Sequence, residues 1–278
     1  MSKVKILVAQ HKPAKVYGND IYTPIHVGKA ISASDLGILG DDTGENISLL
    51  NPYYCELTAQ YWAWKNLHNV DYIGLCHYRR YFKTEVTNEN IDEIMSDCDI
   101  ILTKRITLRT NILHWYSSCL IPEDIALFHL YMSKLYNNDL NVYHNYYLRR
   151  NWINPANMFI CAKDLFNDFC AWQFGILNDL FEIIPKSSYS RERRLMGYFG
   201  ETLLPFYAYQ KGIKIKEIPI VSMVGEENEY NRQSCFSSMK NNILFTNRQK
   251  NFNVPEDILN GLKNDGLLLK VNDFFKNK

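Results

Sequence analysis

Hydrophobic residues along this chain fall into short runs separated by longer amphipathic stretches. Short apolar runs rich in β-branched residues predict buried strands, at residues 4–9, 72–76, 100–102, 158–161 and 214–221. Apolar positions that recur every three or four residues predict helices, at 51–70, 88–95, 122–136, 139–150, 164–183, 191–210 and 256–263. The alternation of strands with helices predicts an α/β fold with a mainly parallel, Rossmann-type sheet flanked by helices.

Three segments lack a clear periodic pattern. Residues 14–48 are polar and rich in turn formers, and residues 103–121 are rich in aromatic and basic side chains, so both are predicted to be loops. After Gly225 the chain is rich in asparagine and weakly patterned until its amphipathic end. We therefore expect one α/β domain over residues 1–224, with a C-terminal extension over residues 225–278 that packs on it.

Composition and charge narrow the class of protein. The 31 basic and 30 acidic residues give no broad positive field, which argues against nucleic acid as a partner. The seven cysteines are odd in number and form no CxxC pair, as expected for reduced thiols. No signal peptide is recognisable, and no stretch approaches the roughly 20 apolar residues of a membrane span. We expect a cytoplasmic protein.

Polar residues follow two of the predicted strands directly. His11 and Lys12 come after the first strand, and His77, Arg79 and Arg80 come after the strand at 72–76. Ligands of such sheets bind beyond the carboxyl ends of the strands, and the planar guanidinium of arginine is suited to a diphosphate. The alternatives are an arginine paired with a carboxylate and a hydrogen-bonded structural histidine.

Metal and phosphate motifs are scarce. Neither GxGxxG nor GxxxxGK[ST] occurs, and no histidine and cysteine spacing fits zinc. Asp97 and Asp99 form a DxD sequence, a pattern that can hold a divalent cation on a diphosphate. This one precedes a predicted strand instead of following it, so we predict no metal site and keep Asp97 and Asp99 as the weaker alternative.

Two further segments carry candidate chemistry. Gly197 and Gly200 lie within a predicted helix, where glycine is costly, which indicates that another element or a ligand approaches closely. Glu201 beside them is suited to be a general base, or is a surface carboxylate paired with a nearby arginine. Trp152 and Asn157 flank a turn before a strand, where Asn157 either bonds a sugar hydroxyl or closes its own turn.

Several of these segments together resemble the DUF4422 family of bacterial polysaccharide-synthesis proteins. The blocks that carry the resemblance lie at residues 8–13, 24–28, 51–66 (NPYYCELTAQYWAWKN), 72–82 (YIGLCHYRRYF), 157–160 (NMFI) and 197–204 (GYFGETLL). They span roughly residues 4–221, about four-fifths of the chain. The family is regarded as GT-A-like glycosyltransferases and includes galactofuranosyltransferases.

The resemblance implies transfer of a sugar, with galactofuranose as one candidate, from a UDP-sugar to a lipid-linked glycan, with inversion. The acceptor would bring the protein to the inner face of the membrane. The implied donor-binding residues are His11, Lys12, Gly28, His77, Arg79 and Arg80. Trp152 and Asn157 would contact the acceptor or the sugar, and Glu201 would be the base.

The resemblance also bears on the cofactor. The segment from His77 to Arg80 occupies the place where GT-A enzymes normally carry DxD, so the two arginines would neutralise the diphosphate without a metal. Dependence on Mn²⁺ or Mg²⁺ stays as the alternative. A non-catalytic glycan- or nucleotide-binding subunit of a polysaccharide assembly complex also remains open. A phosphatase or nucleotidyltransferase is disfavoured, because no carboxylate cluster is predicted at a strand end.

Overall fold

The computed structural model describes residues 2–223, 228–230, 233–246 and 251–276. The chain forms two compact units, each built from three segments of sequence. The first unit comprises residues 1–105, 154–175 and 193–232, and the second comprises residues 106–153, 176–192 and 233–278. The predicted boundary between residues 224 and 225 lies outside the described residues. The observed division differs from that prediction in that residues 106–153 and 176–192 group with the C-terminal segment.

The first unit is organised around one large sheet. Its strands are β1 (Val4–Gln10), β2 (Tyr22–His26), β3 (Leu39–Gly40), β4 (Tyr72–His77), β5 (Arg80–Phe82), β6 (Ile100–Thr103), β9 (Phe159–Ala162), β10 (Ile215–Ile218), β11 (Ile220–Ser222) and β12 (Asn228–Tyr230). The main path runs β10-β6-β9-β4-β1-β2-β3. Neighbours on this path pair in parallel except around β9, which is antiparallel to both β4 and β6. The predicted α/β fold with a mainly parallel sheet is confirmed.

Helices account for most of the remaining residues. They are α1 (Asn51–Tyr54), α2 (Leu57–Asn66), α3 (Ile91–Ile94), α4 (Ile112–Cys119), α5 (Pro122–Leu135), α6 (Leu140–Tyr147), α7 (Lys163–Ile183), α8 (Ser190–Arg193), α9 (Leu195–Gln210), α10 (Cys235–Thr246), α11 (Glu256–Asn264) and α12 (Leu267–Lys276). The second unit also holds a two-stranded antiparallel ribbon of β7 (Ile106–Thr107) and β8 (Trp152–Ile153). In that unit α11 and α12 both pack against α5.

The core of the first unit lies on both faces of the central strands. Alternate residues point to opposite faces of a strand, and Ile6, Val8 and Ile160 belong to the buried cluster on one face. Phe159 stacks on Phe166 of α7 with ring centroids 5.7 Å apart, which places α7 against the sheet. Full burial of a side chain of this size contributes about 1.5–3 kcal/mol to stability. The apolar runs in the sequence therefore correspond to the strands that build the core.

The segment predicted as a loop at 14–48 contains a strand, and that prediction is wrong there. β2 pairs in parallel with β1, with Tyr22 opposite Ile6 and His26 opposite Gln10. Pro24 lacks an N–H for a ladder hydrogen bond, which conceals the strand in the sequence. On the β3 side of β2, only Ile25 and His26 have partners. Pro24, which lacks the N–H, therefore lies where β2 has no neighbouring strand on that side.

The loop predicted at 103–121 also contains regular structure. Helix α4 begins after Asn111, whose side-chain oxygen accepts a hydrogen bond from the backbone N–H of His114 at 2.9 Å. This is the usual arrangement of a helix N-cap. The abundance of basic and aromatic residues favoured a loop, although Ile112, Leu113 and Tyr116 are spaced as one buried helical face.

Two predicted elements are each interrupted. The helix expected from residue 51 is broken between α1 and α2 at Cys55, which has a left-handed φ of 52°. The strand expected at 214–221 is split at Pro219 into β10, which pairs with β6, and β11, which pairs with β5. The first break matters for the site, because Glu56 follows Cys55 directly.

Candidate functional site

The turn that leads into β9 has an unusual backbone. Ala156 has a φ of 81° and Asn157 a φ of 43°. Asparagine adopts left-handed conformations more readily than most residues, whereas alanine does so at a cost of roughly 1–2 kcal/mol. Such a conformation persists only where the surrounding structure imposes it. The groups that hydrogen-bond to this turn therefore define the first part of the candidate site.

Four polar groups from separate parts of the sequence hold the turn. His77 Nε2 donates to the Ala156 carbonyl oxygen at 2.8 Å. Asn157 Nδ2 donates to the Gly197 carbonyl oxygen at 2.9 Å and to Glu56 Oε1 at 2.7 Å. The Ala156 N–H donates to Glu201 Oε1. The structure therefore brings three of the predicted site residues, His77, Asn157 and Glu201, into one cluster and adds Glu56 to it.

The Glu201 carboxyl of this cluster has a strongly perturbed pKa. Burial, with a smaller contribution from the charge of the nearby Glu56, raises the pKa of this carboxyl to about 7. The Ala156 N–H and the charges of Arg80 and Arg194 oppose this rise in pKa. A carboxylate whose pKa lies near neutral pH is suited to accept and release a proton under physiological conditions. The alternative of a surface glutamate paired with a neighbouring arginine does not describe it.

His77 contacts the same turn through the Ala156 carbonyl oxygen. Burial lowers the pKa of His77, while Glu56, with Oε1 at 3.8 Å from Nε2, acts to raise it. The net direction is downward, so the ring is neutral at pH 7 with its proton on Nε2, the atom that donates to Ala156. His77 thus donates a hydrogen bond to the protein backbone. This is the structural role that the sequence left open as the alternative to ligand binding.

The glycines of α9 allow the close approach that the sequence predicted. A Cβ on Gly200 would lie 2.5 Å from Leu57 Cδ1, and one on Gly197 would lie 3.1 Å from Cys55 Sγ. The approaching elements are therefore α2 and the break that precedes it. Their approach brings Glu56 next to the Asn157 side chain and α9.

A second cluster lies around the ring of Tyr78. The ring of His11 meets it edge-on, with centroids 5.5 Å apart. The guanidinium carbon of Arg79 lies 4.9 Å from the Tyr78 centroid, and Lys12 Nζ lies 5.9 Å from it. Burial, followed by the charges of Arg79 and Lys12, lowers the pKa of His11. Three predicted donor-binding residues therefore meet at neighbouring strand ends, where an anion would offset their mutual repulsion.

Arg80 lies apart from this second cluster. It begins β5 opposite His77, and its charge acts on both His77 and Glu201. The two adjacent arginines have different surroundings, because Arg79 lies in the turn that joins β4 to β5 whereas Arg80 is the first residue of β5. Arg79 is exposed beside Tyr78, whereas Arg80 is half-buried.

Two buried side chains end the neighbouring strands β1 and β2. Gln10 and His26 are Cα partners in the register, and they are 4% and 0% exposed. Within the described residues, neither ring nitrogen of His26 nor Oε1 of Gln10 has a hydrogen-bond partner. Buried polar atoms without partners are rare in folded proteins. Neither residue was singled out from the sequence, where His26 stands in a segment interpreted as a loop.

Gly28 has a structural explanation. Its φ is 68°, its N–H donates to Asp41 Oδ2 at 2.8 Å, and a Cβ there would lie 2.7 Å from Asn51 Oδ1. The Asn51 side chain in turn donates to the Cys55 carbonyl oxygen at 2.8 Å. Gly28 therefore lets the segment after β2 pack against the start of α1.

We expect Gly28→Ala to lower the free energy of unfolding by about 1–3 kcal/mol, because a left-handed alanine is strained and its Cβ displaces Asn51. Urea denaturation measures the change. Gly37→Ala is the matched control, since Gly37 has the same φ of 68° but nothing within 4 Å of a Cβ. Equal losses in the two variants would contradict a role for the contact with Asn51.

Trp152, Asp97 and Asp99 each have partners within the protein. Trp152 belongs to the second unit, where the guanidinium carbon of Arg150 lies 4.9 Å from its ring centroid. Asp97 forms an ion pair with Lys216 at 2.8 Å, and Asp99 Oδ2 accepts the Lys214 N–H at 2.8 Å. Among the residues that the structure describes, no three or more histidine, cysteine, aspartate or glutamate side chains are grouped to hold a metal ion.

In the described part of the chain, no helix combines the length and the apolar character needed to cross a bilayer.

The chain is similar to a protein family and to a solved structure. The model of the family described as "Domain of unknown function (DUF4422)" matches residues 5–212, a range that includes both clusters. The apo structure of WbbM, described as a bifunctional glycosyltransferase, is similar with a TM-score of 0.71 and 32% sequence identity. The similarity covers 81% of this chain and 46% of the WbbM chain, so this chain spans about half of that protein's length. No curated protein matches this sequence.

Proposed function

The chain belongs to the DUF4422 family, and on this basis we propose that it is a glycosyltransferase that uses a nucleoside-diphosphate sugar. The similarity to WbbM, itself described as a glycosyltransferase, supports this proposal. The observation that carries it is the Glu201 carboxyl, which accepts the Ala156 N–H and has a pKa raised to about 7 by burial. A base of this kind is what an acceptor hydroxyl requires in order to attack a sugar.

The proposed reaction is a single inverting displacement. Glu201 takes the proton of the acceptor hydroxyl while the hydroxyl oxygen forms a bond with the anomeric carbon. The bond between that carbon and the diphosphate oxygen breaks, and its electron pair stays on the departing nucleoside diphosphate. Cationic groups fixed in advance near the leaving group stabilise the charge that develops there. Arg79, Lys12 and Arg80 are the residues that we assign to this task.

The donor is proposed to be a UDP-sugar, with galactofuranose as the candidate sugar, and the acceptor a lipid-linked glycan. This places the protein in the cytoplasm, at the inner face of the membrane, in the synthesis of a bacterial surface polysaccharide. Trp152 remains a proposed sugar contact. The amide nitrogen of Asn157 is used within the protein, so any contact of Asn157 with a sugar would involve its oxygen. Transfer assays with UDP-galactofuranose and UDP-galactopyranose test the choice of sugar.

Catalysis is proposed to be independent of a metal, because the cations near Tyr78 can neutralise a diphosphate. Calorimetric titration with UDP tests this directly, with chelator and with added Mn²⁺. We expect UDP to bind equally in both conditions. Binding that requires Mn²⁺ would contradict the proposal and favour Asp97 and Asp99, freed from their present partners. UDP binding with neither transfer nor hydrolysis of any donor would favour a non-catalytic binding subunit.

We expect Arg79→Ala to raise the Kd for UDP by about 10- to 100-fold, since a hydrogen bond to a charged group contributes about 1.5–3 kcal/mol. The same titration measures it. Lys134→Ala, which removes an exposed positive charge from α5, is the control and should leave the Kd unchanged. An unchanged Kd in Arg79→Ala would remove Arg79 from the donor site.

A further inference from the structure

Glu56 is a largely buried carboxylate with no role in the proposed reaction. Its side chain is 13% exposed. It follows the left-handed Cys55 at the break between α1 and α2, which turns it away from a regular helical course. Glu56 Oε1 accepts a hydrogen bond from Asn157 Nδ2 and lies 3.8 Å from His77 Nε2. A buried charge is costly unless it is paired and hydrogen-bonded, so this placement requires an explanation.

The Asn157 side chain connects Glu56 with the turn that hydrogen-bonds Glu201. Ala156 and Asn157 are consecutive left-handed residues of this turn, and the Ala156 N–H donates to Glu201 Oε1. Asn157 Nδ2 has two protons, of which one is donated to Gly197 and the other to Glu56. Loss of the Glu56 oxygen would remove one of the two hydrogen-bond acceptors of the Asn157 amide and loosen the turn.

We propose that Glu56 is a positioning residue for Glu201, acting through the Asn157 side chain and the Ala156 N–H. This role rests on the proposed function in one respect, namely that Glu201 is the base. Glu56 is not itself assigned to the substrate.

The charges around Glu201 support this assignment. Glu56 raises the pKa of the Glu201 carboxyl, whereas Arg80 and Arg194 lower it. His77 is neutral at pH 7, and burial raises the pKa of the Cys55 thiol to about 11, so neither adds a charge at that pH. Of the three charges that act on the Glu201 carboxyl, Glu56 is the negative one and opposes the two arginines.

Two substitutions separate the hydrogen bond from the charge. Glu56→Gln keeps an oxygen that can accept from Asn157 but removes the charge, and Glu56→Ala removes both. We expect the acid limb of the kcat/KM profile between pH 5 and 9 to move to lower pH in Glu56→Gln. In Glu56→Ala we expect kcat to fall by about 100-fold, the order of loss caused by misplacing a reacting group by about 1 Å, with KM nearly unchanged.

Glu45→Gln is the matched control, because Glu45 is an exposed glutamate of the same unit whose partners are Lys65 and Tyr61. It should leave the pH profile unchanged. Wild-type pH profiles in both Glu56 variants would overturn the proposal. So would variants whose melting temperature and kcat both fall while the pH profile stays in place, because that pattern describes a merely structural residue.

A direct titration makes this test independent of activity. In protein labelled with ¹³C-glutamate, Glu201→Gln identifies the Glu201 carboxyl signal, whose midpoint is followed with pH. We expect a lower midpoint in Glu56→Gln than in the wild type, and an unmoved midpoint would overturn the proposal. If Glu201→Gln stays active while the Glu201 midpoint is lower in Glu56→Gln than in the wild type, Glu201 is not the base and the positioning role of Glu56 stands. If neither Glu56 variant folds, Asn157→Ala cuts the same connection and its Glu201 midpoint should also move.

Discussion

Replacing Glu201 by glutamine is expected to reduce sugar transfer by about 10²- to 10⁴-fold, the usual contribution of a general base. Glutamine keeps the oxygen that accepts the Ala156 N–H, so the turn and the donor site should persist. UDP should therefore bind with the affinity of the wild type. Turnover measured by chromatography of the released UDP, together with calorimetric titration of UDP, checks both parts.

Glu182→Gln is a suitable control for that experiment, since Glu182 is an exposed glutamate of α7. It should leave turnover unchanged. Near-normal turnover in Glu201→Gln would remove Glu201 from the role of base. A loss of UDP binding equal to the loss of turnover would point to a damaged donor site instead.

The same variant is expected to be more stable than the wild type at high pH. Folding raises the pKa of Glu201 from its ordinary value of 4.5 to about 7, so the folded protein holds this proton more tightly than the unfolded chain. The resulting stabilisation is full below pH 4.5 and is lost as the pH rises through about 7. The loss amounts to about 3 kcal/mol, at 1.36 kcal/mol for each unit of pKa.

Glutamine has no proton to lose, so Glu201→Gln should gain up to about 3 kcal/mol over the wild type at pH 8 and nothing at pH 4. Urea denaturation of both proteins across this range measures the difference. Asp124, whose pKa burial also raises to about 7, contributes a dependence of the same sign in both proteins, and Asp124→Asn isolates it. An equal slope with pH in wild type and Glu201→Gln would contradict the raised pKa of Glu201.

The parts of the site that were predictable follow from strands that the apolar pattern locates. β1 and β4 are mostly apolar. Polar residues that follow adjacent parallel strands must meet at one edge of the sheet. This is why His11, Lys12 and Arg79 could be expected to lie together. Their contacts depend on local sequence and on one strand pairing, in which Ala9 lies opposite His77.

The Glu201 cluster is different, because its contacts join residues far apart in sequence. Glu56 and Asn157 are 101 residues apart, and Ala156 and Glu201 are 45 residues apart. No pattern in the sequence reports that an alanine adopts a left-handed conformation, since tertiary contacts impose it. Glu201 could be named as a base from its neighbouring glycines and from the family resemblance, whereas Glu56 looked like an ordinary residue in the first turns of a helix.

The direction of β9 could not be read from the sequence for a related reason. An alternation of strands and helices favours parallel pairing, but residues 106–153, which lie between β6 and β9, form part of a separate unit. The chain thus returns to the sheet next to the strand that it left, as in a long hairpin, with Leu102 opposite Phe159. The prediction of a mainly parallel sheet holds along the main path, where β9 is the antiparallel strand; β5, β11 and β12 pair antiparallel off that path.

The position of β9 has a consequence for biosynthesis. The ribosome completes β4 and β6 long before it reaches residue 159, and until then both strands present an unpaired edge. Open strand edges are templates for pairing with other chains, and contacts that are distant in sequence form slowly. A nascent chain halted near residue 150 would expose both edges at once. While residues 103–159 are being synthesised, the edges of β4 and β6 that β9 later covers are therefore open to aggregation, and chaperone binding in this interval would protect them.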